Sequence, residues 1–560
     1  MAFRSSIVQI GNVALGGKNP VRIQSMTTTN TMDTTATVEQ VISLAEAGCD
    51  CVRITTQNIK EADNLKNIKN ELRKAGVDIP LIADVHFNPK VAEVAAHFVE
   101  KVRINPGNYV DKPEAGSSNS FQDNDYEVNR IAKKLIPLLS ICKQCGTAIR
   151  IGANHGSLSG RILFKYGNTA RGMVESIMEF VQVCHKNDFH NLVLSIKASN
   201  VVTMIEANML LVERLSEAGL SYPIHLGVTE AGCNEEGRIK SAAGIGYLLA
   251  HGIGDTIRVS LTEDPIEEIP VALKLVEFFG KRENVIKEIS PEIINFPKSK
   301  FFVVPPVVIT SGYSSFSDLS VEKQHMTYVK PTKTCHSERS EARLPNWQES
   351  KDVENKLFRY PSLRSRMTAA CRLGRKNEVS QNSKCTVEQH IFNEELFYVS
   401  KFNYTGLSYD DLIMKAAVEA TVTILNQNVD GIWIENSGAT SSDNLAKLAL
   451  NILQVLGLRI TKTEYIACPT CGRSSINVIQ QLEEVKKQTS HLPGLKIAVM
   501  GCAVNGPGEM AGSHYGFVGV GKGEVHIYKR NEIILKNVPQ EMATDELINI
   551  IKKNGDWKEK

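Results

Sequence analysis

The hydrophobic residues of positions 1–280 follow two alternating patterns. Short β-branched runs are separated by longer segments with apolar residues at three- and four-residue spacing, such as TATVEQVISLAEAG at 35–48. The first pattern is typical of buried parallel strands and the second of amphipathic helices. The strand-like runs are 22–26, 51–55, 81–85, 101–105, 148–153, 192–199, 223–228 and 256–261. These eight strand–helix units predict an α/β fold that begins with an N-terminal (β/α)8 TIM barrel.

The pattern changes after residue 280. Strand-like runs at 300–310 and 430–437, with helical runs at 409–428 and 442–457, predict an inserted α/β middle domain over 281–458. Within it, residues 326–398 are rich in Ser, Arg, Lys, Asn and Gln without a steady period, which indicates a disordered or extended segment. Residues 459–560 predict a smaller C-terminal α/β domain, with a strand at 495–501, a hairpin at 523–535 and a last helix at 544–554.

Composition narrows the class of protein. The 560 residues include 64 basic and 62 acidic side chains, so an electropositive site must be a local cluster, and general nucleic-acid binding is not expected. The chain shows neither a signal-peptide core nor an apolar run long enough for a membrane span, which predicts a cytoplasmic protein without membrane partners. Its 12 cysteines should therefore be reduced unless they bind metal.

Five predicted barrel strands carry a cation within a β-branched frame. Because a buried unpaired charge is costly, something anionic should face these side chains. The active face of a parallel barrel is at the carboxyl ends of its strands, where five cations would suit a di- or polyphosphate. Alternatively, some of them pair with barrel carboxylates such as Asp84 or Glu230. The five are Arg53, Arg103, Arg150, Lys197 and Arg258.

Polar residues near the ends of other strands are candidates for hydroxyl contacts and proton delivery. A single histidine is more often a core or surface residue than a catalyst. These side chains are therefore functional candidates only because of their expected position at the barrel mouth. They are Asp84, His86, Asn105, Asn154, His225 and Glu230.

The C-terminal domain carries a separate constellation. Cys468 and Cys471 form a C-x-x-C pair in ACPTCGR, and Cys502 precedes Glu509 in GCAVNGPGEM. Three thiolates indicate zinc or an iron–sulfur cluster. A carboxylate is a hard and weakly held ligand for cluster iron, so a Cys3Glu set would leave one iron open to substrate. A structural zinc site, with Glu509 merely on the surface, is the alternative.

A second C-x-x-C pair, Cys142 and Cys145, has no third partner nearby in the sequence and is interpreted as structural.

Eight segments together resemble one family. The segments VRIQSMTTT, RINPGN, RIGANHGSL, IKAS, HLGVTEAG, GIGDTIRVSL, ACPTCGR and GCAVNGPGE occur in this order. They resemble the 4-hydroxy-3-methylbut-2-enyl diphosphate synthases of the methylerythritol phosphate route to isoprenoids, over about 1–280 and 459–515. The block at 281–458 resembles the extra domain of the large, three-domain form.

The resemblance implies a two-electron reductive ring opening and dehydration of 2-C-methyl-D-erythritol 2,4-cyclodiphosphate. It implies a [4Fe–4S] cluster on Cys468, Cys471, Cys502 and Glu509, with ferredoxin or flavodoxin as electron donor. The diphosphate would lie among the barrel cations and Asn154, and Glu230 would position or protonate the substrate oxygen. In the short form the cluster domain closes over the barrel of a second subunit, so a homodimer is possible, whereas a spacer domain would allow closure within one chain.

Two other functions fit parts of the sequence. One is a non-redox barrel transferase for a phosphorylated substrate with a structural zinc module. The other is a binding protein whose cysteines form a zinc ribbon for a protein or RNA partner.

Overall fold

The computed structural model describes residues 3–110, 124–280, 307–310, 319–322, 325–328, 383–392, 395–426, 429–438, 440–521 and 523–559. The chain forms two compact units, one of Met1–Phe301, Ile413–Leu425 and Asn451–Lys560, the other of Phe302–Leu412 and Asn426–Leu450. The N-terminal barrel and the C-terminal domain therefore belong to one compact unit. In the described part of the chain, no helix is long and apolar enough to cross a membrane.

The barrel has eight parallel strands in the spatial order β8-β7-β6-β5-β4-β3-β10-β9, and a bridge between Leu194 and Ile224 links its two edges. It confirms the predicted fold. The last two strands are shorter than predicted. The strands are β3 (Arg22–Met26), β4 (Cys51–Thr55), β5 (Leu81–Asp84), β6 (Lys101–Ile104), β7 (Ala148–Asn154), β8 (Leu192–Lys197), β9 (His225–Leu226) and β10 (Thr256–Ile257).

A hairpin of β1 (Val8–Ile10) and β2 (Val13–Leu15) covers the amino-terminal end of the barrel. Its buried Val8, Ile10 and Leu15 pack in one cluster with residues near the starts of four barrel strands: Cys51, Ile82, Ala148 and Val193. The opposite end of the barrel, where the parallel strands present their carboxyl termini, is therefore available for an active site.

Helices connect the strands on the outside of the barrel, and side chains cap several of their amino termini. The Asn58 side chain, for example, accepts a hydrogen bond from the Glu61 backbone at the start of α2. The helices are α1 (Thr34–Glu46), α2 (Ile59–Lys74), α3 (Pro89–Ala95), α4 (Pro106–Tyr109), α5 (Asn124–Cys145), α6 (Gly160–Tyr166), α7 (Ala170–Lys186), α8 (Val201–Glu217), α9 (Asn234–Ser241), α10 (Tyr247–Ala250) and α11 (Glu268–Phe279). A π-helical turn, Ala242–Gly246, joins α9 to α10.

The middle part of the chain contains a six-stranded sheet in the order β13-β12-β11-β16-β15-β14. The strands and helices here are β11 (Val307–Thr310), β12 (Leu319–Glu322), β13 (His325–Tyr328), β14 (Ser383–Phe392), β15 (Glu395–Thr405), α12 (Tyr409–Asn426), β16 (Gly431–Ser437) and α13 (Ser442–Val455).

Part of the predicted irregular insert is regular structure. Residues 383–392 pair with 395–404 as an antiparallel hairpin, and 326–328 belong to β13. The cause is a two-residue alternation of hydrophobic and polar side chains in this stretch, which the bulk composition of 326–398 concealed. The remainder of the insert, 329–382 and 393–394, lies outside the described residues.

The C-terminal domain is a five-stranded sheet, three strands parallel and then two antiparallel. Helices α14 and α16 pack on it around a core that includes Val478, Leu482, Phe517 and Leu547. The predicted strand, hairpin and last helix are present. The elements are β17 (Glu464–Ala467), α14 (Val478–Thr489), β18 (Lys496–Met500), α15 (Gly506–Glu509), β19 (Tyr515–Gly521), β20 (Glu524–Lys529), β21 (Glu532–Pro539) and α16 (Ala543–Lys553).

Candidate active site

One cavity lies between the carboxyl ends of the barrel strands and the C-terminal domain. It holds about 800 Å³ of empty space, part of it open to solvent. The barrel contributes Met26, Arg53, Asp84, His86, Arg103, Arg150, Asn154, Ser195, Lys197, Thr229, Glu230, Arg258 and Ser260. The C-terminal domain contributes Cys468, Cys471, Arg473, Cys502, Asn505 and Glu509, with their neighbours in the loops after β17 and β18.

Close backbone contacts hold the two walls together. A Cβ atom built on Gly508 would lie 2.0 Å from the carbonyl oxygen of Gly156, so only glycine permits this approach of α15 to the loop after β7. On the other side of the site, Ala231 and Ala467 form a parallel bridge, and the Thr262 hydroxyl donates to the Ala467 carbonyl at 3.1 Å. A single chain therefore builds both walls of the cavity.

All five strand-borne cations line this cavity. Arg258 forms a two-point ion pair with the buried Glu268, at 3.1 and 3.2 Å, and the Arg103 Nη1 atom donates to Asp84 Oδ1 at 3.1 Å. Two of the five thus have carboxylate partners within the barrel, as the alternative interpretation expected. For Arg258 the partner is Glu268, which the sequence analysis did not consider.

Of the other three cations, Arg53 and Arg150 donate to neutral acceptors, and Lys197 is under the influence of neighbouring positive charges. Arg53 donates to the sulfur of Met26 at 2.9 and 3.1 Å, and Arg150 Nη1 donates to Gln24 Oε1 at 3.5 Å. Burial lowers the pKa of Arg53 to about 10 despite Asp84, with neighbouring arginines adding to the effect. Burial and then the charges of Arg150, Arg53 and Arg258 hold the pKa of Lys197 well below its usual range. This concentration of positive charge favours an anionic ligand.

Asp84 is the anion of the barrel wall. Burial alone would raise its pKa, but Arg53, Arg103 and Arg473 hold it well below its ordinary value. Its Oδ2 atom accepts from Arg473 Nη2 at 2.6 Å and from Nη1 at 3.2 Å. His86 lies 2.6 Å from Arg103 Nη1, and burial followed by the Arg473 and Arg103 charges lowers its pKa to about 3. His86 is therefore neutral at physiological pH.

Glu230 has the opposite environment. Burial, followed by the nearby Glu509 carboxylate, raises its pKa well above the ordinary value. Its Oε2 atom is buried without a hydrogen-bond partner among the residues that the structure describes. Glu509 in turn accepts from the Asn154 side chain at 2.9 Å. The pair places a carboxylic acid beside a carboxylate where the two walls meet.

The three predicted cysteine ligands follow two parallel strands of the C-terminal sheet. Cys468 and Cys471 come after β17 and Cys502 after β18, so neighbouring strand ends bring them to one wall. The backbone N–H of Gly501 donates to Cys468 Sγ at 3.2 Å. Burial and then the Cys502 charge raise the pKa of the Cys468 thiol. Across the described ranges, no three His, Cys, Asp or Glu side chains are grouped closely enough to hold a single metal ion.

Two predicted substrate residues are not on the cavity wall formed by the described residues. Asn105 caps α4 by accepting from the Gly107 backbone, and its amide donates to Ser157 Oγ at 3.0 Å. His225 is fully buried inside the barrel, 3.4 Å from the Thr256 hydroxyl. Both have local contacts that explain their positions.

The second C-x-x-C pair is also remote from the cavity wall. Cys142 and Cys145 are at the end of α5, and Cys145 lies 3.5 Å from His97 Nδ1.

Sequence reasoning missed Arg473. It stands two residues after the second cysteine of ACPTCGR, and its side chain is 5% exposed. An arginine in a surface-like loop gave no signal of burial, because the buried environment exists only where the C-terminal domain meets the barrel. Met26 and Glu268, which contact the barrel cations, were missed for a similar reason.

Comparison with known proteins agrees with this two-walled site. The model of the GcpE TIM-barrel domain matches residues 5–273, and that of the GcpE protein C-terminal domain matches residues 464–553. A relative from Phocaeicola vulgatus is 43% identical over 99% of this chain and 98% of its own length. The chain belongs to the GcpE family. The resemblance seen in the sequence is confirmed.

Two further GcpE relatives show the same extent of similarity. That from Bacteroides fragilis is 42% identical over 99% of this chain and 96% of its own, and that from Parabacteroides distasonis is 42% identical over 99% and 98%. All three bear the name 4-hydroxy-3-methylbut-2-en-1-yl diphosphate synthase (flavodoxin). Because the alignments span nearly the whole chain, these relatives also share its middle part.

Proposed function

We propose that this chain converts 2-C-methyl-D-erythritol 2,4-cyclodiphosphate to (E)-4-hydroxy-3-methylbut-2-enyl diphosphate. Two electrons and two protons are consumed, one C–O bond to the diphosphate opens, and the C3 oxygen leaves as water. The observation that carries the proposal is the single cavity in which barrel cations face three cysteines and Glu509. The names of the relatives support the product and flavodoxin as donor. Family membership argues against the zinc transferase and the binding-protein alternatives.

The cofactor in this proposal is a [4Fe–4S] cluster held by Cys468, Cys471, Cys502 and Glu509. The donor set fits, because three thiolates suit soft cluster iron, the Gly501 backbone N–H already donates to one of them, Cys468, and the carboxylate is a weaker ligand. When bound, the cluster supplies the electrons for reductive C–O cleavage.

The barrel wall binds and orients the substrate in this proposal. Arg53, Arg150 and Lys197 form no ion pair with a carboxylate among the described residues, so they are available to neutralise the cyclic diphosphate. Arg103 and Arg258 also contribute to diphosphate binding, and their ion pairs with Asp84 and Glu268 hold the two side chains in position. The same cations stabilise the negative charge that develops as the diphosphate leaves C2. Asn154 donates a hydrogen bond to Glu509, so its side chain is in position to contact a substrate that binds beside this carboxylate.

Glu230 is the proposed proton donor to the departing C3 oxygen. Its Oε2 atom is buried in the cavity wall without a hydrogen-bond partner in the described chain, and a hydrogen bond between the Glu230 and Glu509 carboxyl groups contributes to the raised pKa of Glu230. A carboxylic acid held neutral can donate a proton to an oxygen that leaves as water. His86 and Asp84 act on Arg103 from the side, through contacts of 2.6 and 3.1 Å, and thereby orient it.

The remaining predictions belong to the same proposal. The domains are 1–280, 281–458 and 459–560, with the middle one as a spacer. Because one chain supplies both walls, a homodimer is not needed to complete the site. A cluster with one open iron suits the reducing cytoplasm, where cysteines that are not bound to metal stay reduced.

The test is anaerobic purification followed by iron, sulfide and zinc analysis and an activity assay. We expect about four iron and four sulfide per chain, the number in one such cluster. Reduced flavodoxin should drive formation of the linear diphosphate from the cyclic one. Zinc in place of iron, or no turnover by the iron-loaded protein with either flavodoxin or a chemical reductant, would refute the proposed function.

A further inference from the structure

Arg473 connects the C-terminal domain to the anion of the barrel wall. Two of its nitrogen atoms donate to Asp84 Oδ2, at 2.6 and 3.2 Å, and both side chains are at most 5% exposed. Of the residues described on the cavity wall, it is the only basic one from the C-terminal domain. The domain that holds the cysteines therefore adds one positive charge to the barrel's cationic face.

Asp84 is an unexpected neighbour for a diphosphate. A buried carboxylate repels an anionic ligand and competes with it for the same guanidinium groups. Asp84 Oδ1 already accepts from Arg103, and Arg53 is near enough to influence its charge. With Arg473 absent, both carboxylate oxygens would be available to Arg103 and Arg53.

A chain of hydrogen bonds passes through this contact. It runs from Arg473 to Asp84, then to Arg103, which donates to Asn154 Oδ1 at 3.4 Å, and from Asn154 to Glu509 at 2.9 Å. Both ends of the chain belong to the C-terminal domain, and the three middle members belong to the barrel. Arg103 itself contacts only barrel residues, which include His86 and the Gly152 carbonyl, but its partners Asp84 and Asn154 each make one contact that exists only when the domains are together.

We infer that Arg473 is a positioning residue for substrate binding: it neutralises Asp84 and thereby leaves Arg53 and Arg103 to the diphosphate. Docking of the C-terminal domain then does two things at once, because it brings the cysteines over the cavity and raises the affinity of the barrel for the anion. This inference rests on the proposed function and adds a residue to it.

The alternative is a purely structural role, in which Arg473 only holds the two domains together. The chain offers a matched control, since Lys486 also joins the two domains, donating to Cys233 Sγ at 3.2 Å, but does not line the cavity. If the role of Arg473 were purely structural, loss of the Lys486 contact should affect substrate binding to a similar extent.

The experiment is a double-mutant cycle with Arg473→Met, Asp84→Asn and their combination, beside Arg473→Lys and Lys486→Met. Calorimetry measures the Kd of the cyclodiphosphate for the anaerobic, iron-loaded enzyme without reductant, and iron per chain is determined for each variant. We expect Arg473→Met to raise the Kd about 30-fold or more, because one member of a buried charge pair is removed. In the Asp84→Asn background the same change should cost less than about threefold.

The two remaining variants sharpen the result. Arg473→Lys keeps the charge and should recover most of the affinity, because both contacts go to one oxygen and need no forked geometry. Lys486→Met should change the Kd less than about twofold, since rim contacts contribute little.

Three outcomes would overturn the inference. They are an equal loss of affinity from Arg473→Met in both backgrounds, an equal loss from Lys486→Met, or loss of iron from Arg473→Met. If the wild-type enzyme bound no cyclodiphosphate, the proposed function itself would fail instead.

Discussion

Asp84 and Glu230 lie on the same rim of the barrel, and each is 3% exposed, yet their environments favour opposite charge states. Asp84 is surrounded by arginines, which hold its pKa well below the ordinary value, so it stays an anion. Glu230 faces a second carboxylate, and its pKa lies well above the ordinary value, so it stays an acid. The residue type and the depth of burial are alike, and only the neighbours differ.

The C-terminal domain contributes to both environments. It supplies Arg473 to the Asp84 side and Glu509 to the Glu230 side. Docking of this domain therefore helps set the electrostatics of the barrel mouth as well as bringing cysteines to it. Four experiments test this comparison, beginning with the largest expected effect.

Cys502→Ser removes one of the proposed cluster ligands from the C-terminal wall and should abolish nearly all turnover, because a hydroxyl replaces a thiolate poorly on cluster iron. Glu509→Ala should also be almost inactive but should keep much of its iron, since the weaker ligand is lost. Iron and sulfide per chain, measured beside turnover with a chemical reductant, separate the two. Cys145→Ser, in the remote C-x-x-C pair, is the control and should behave as wild type. Full activity of Glu509→Ala would remove that carboxylate from the mechanism.

Arg53→Met and Arg258→Met distinguish unpaired from paired cations of the barrel wall. Both should weaken substrate binding, by about 2–5 kcal/mol. Only Arg258→Met should also lower the free energy of unfolding, by about 3 kcal/mol or more, because it leaves Glu268 buried without its ion-pair partner. Calorimetry of substrate binding and denaturant unfolding give the two quantities. Equal stability losses in the two variants would show that the Arg258–Glu268 pair has no special structural role.

Gly508→Ala disturbs the contact between the walls without altering a charged group. The added methyl group would lie 2.0 Å from the Gly156 carbonyl oxygen, so α15 must move away from the barrel and carry Glu509 with it. We expect turnover to fall about 100-fold, as for other small displacements of reacting groups, while the iron content is kept. Gly160→Ala has nothing within 4 Å of its new Cβ and serves as the control. Normal turnover of Gly508→Ala would mean that this approach is not required.

Asp84→Asn and Glu230→Gln compare the two carboxylates directly. Asp84→Asn removes an anion from among buried cations and should lower the free energy of unfolding by about 3 kcal/mol. Glu230→Gln replaces one uncharged group by another of similar shape, so its free energy of unfolding should change by less than about 0.5 kcal/mol. Urea unfolding at neutral pH measures both. A comparable loss for Glu230→Gln would indicate that Glu230 is ionised in the folded protein.

Much of the fold was predictable because the signals are local. Near-continuous runs such as AIRIGAN at 148–154, whose seven residues are all buried, identify barrel strands without any knowledge of their partners. The cations at alternate positions of these strands, and the C-x-x-C pair with Cys502 and Glu509, are likewise visible in the sequence. The hairpin of 383–392 and 395–404 could not be predicted in this way, because its alternation of hydrophobic and polar residues is weak within a segment of polar average composition.

The sequence by itself determined the barrel, the cation-bearing strands and the cysteine set, since periodicity and spacing act over a few residues. Tertiary structure alone decided which charges are compensated. Arg473 and Asp84 are 389 residues apart, as Asn154 and Glu509 are 355 apart, and no local pattern records such pairs. It also decided that Asn105 caps a helix and that His225 is enclosed in the barrel. Burial and Coulomb interactions depend on distance in space, so the charge states of the site appear only when the two domains meet.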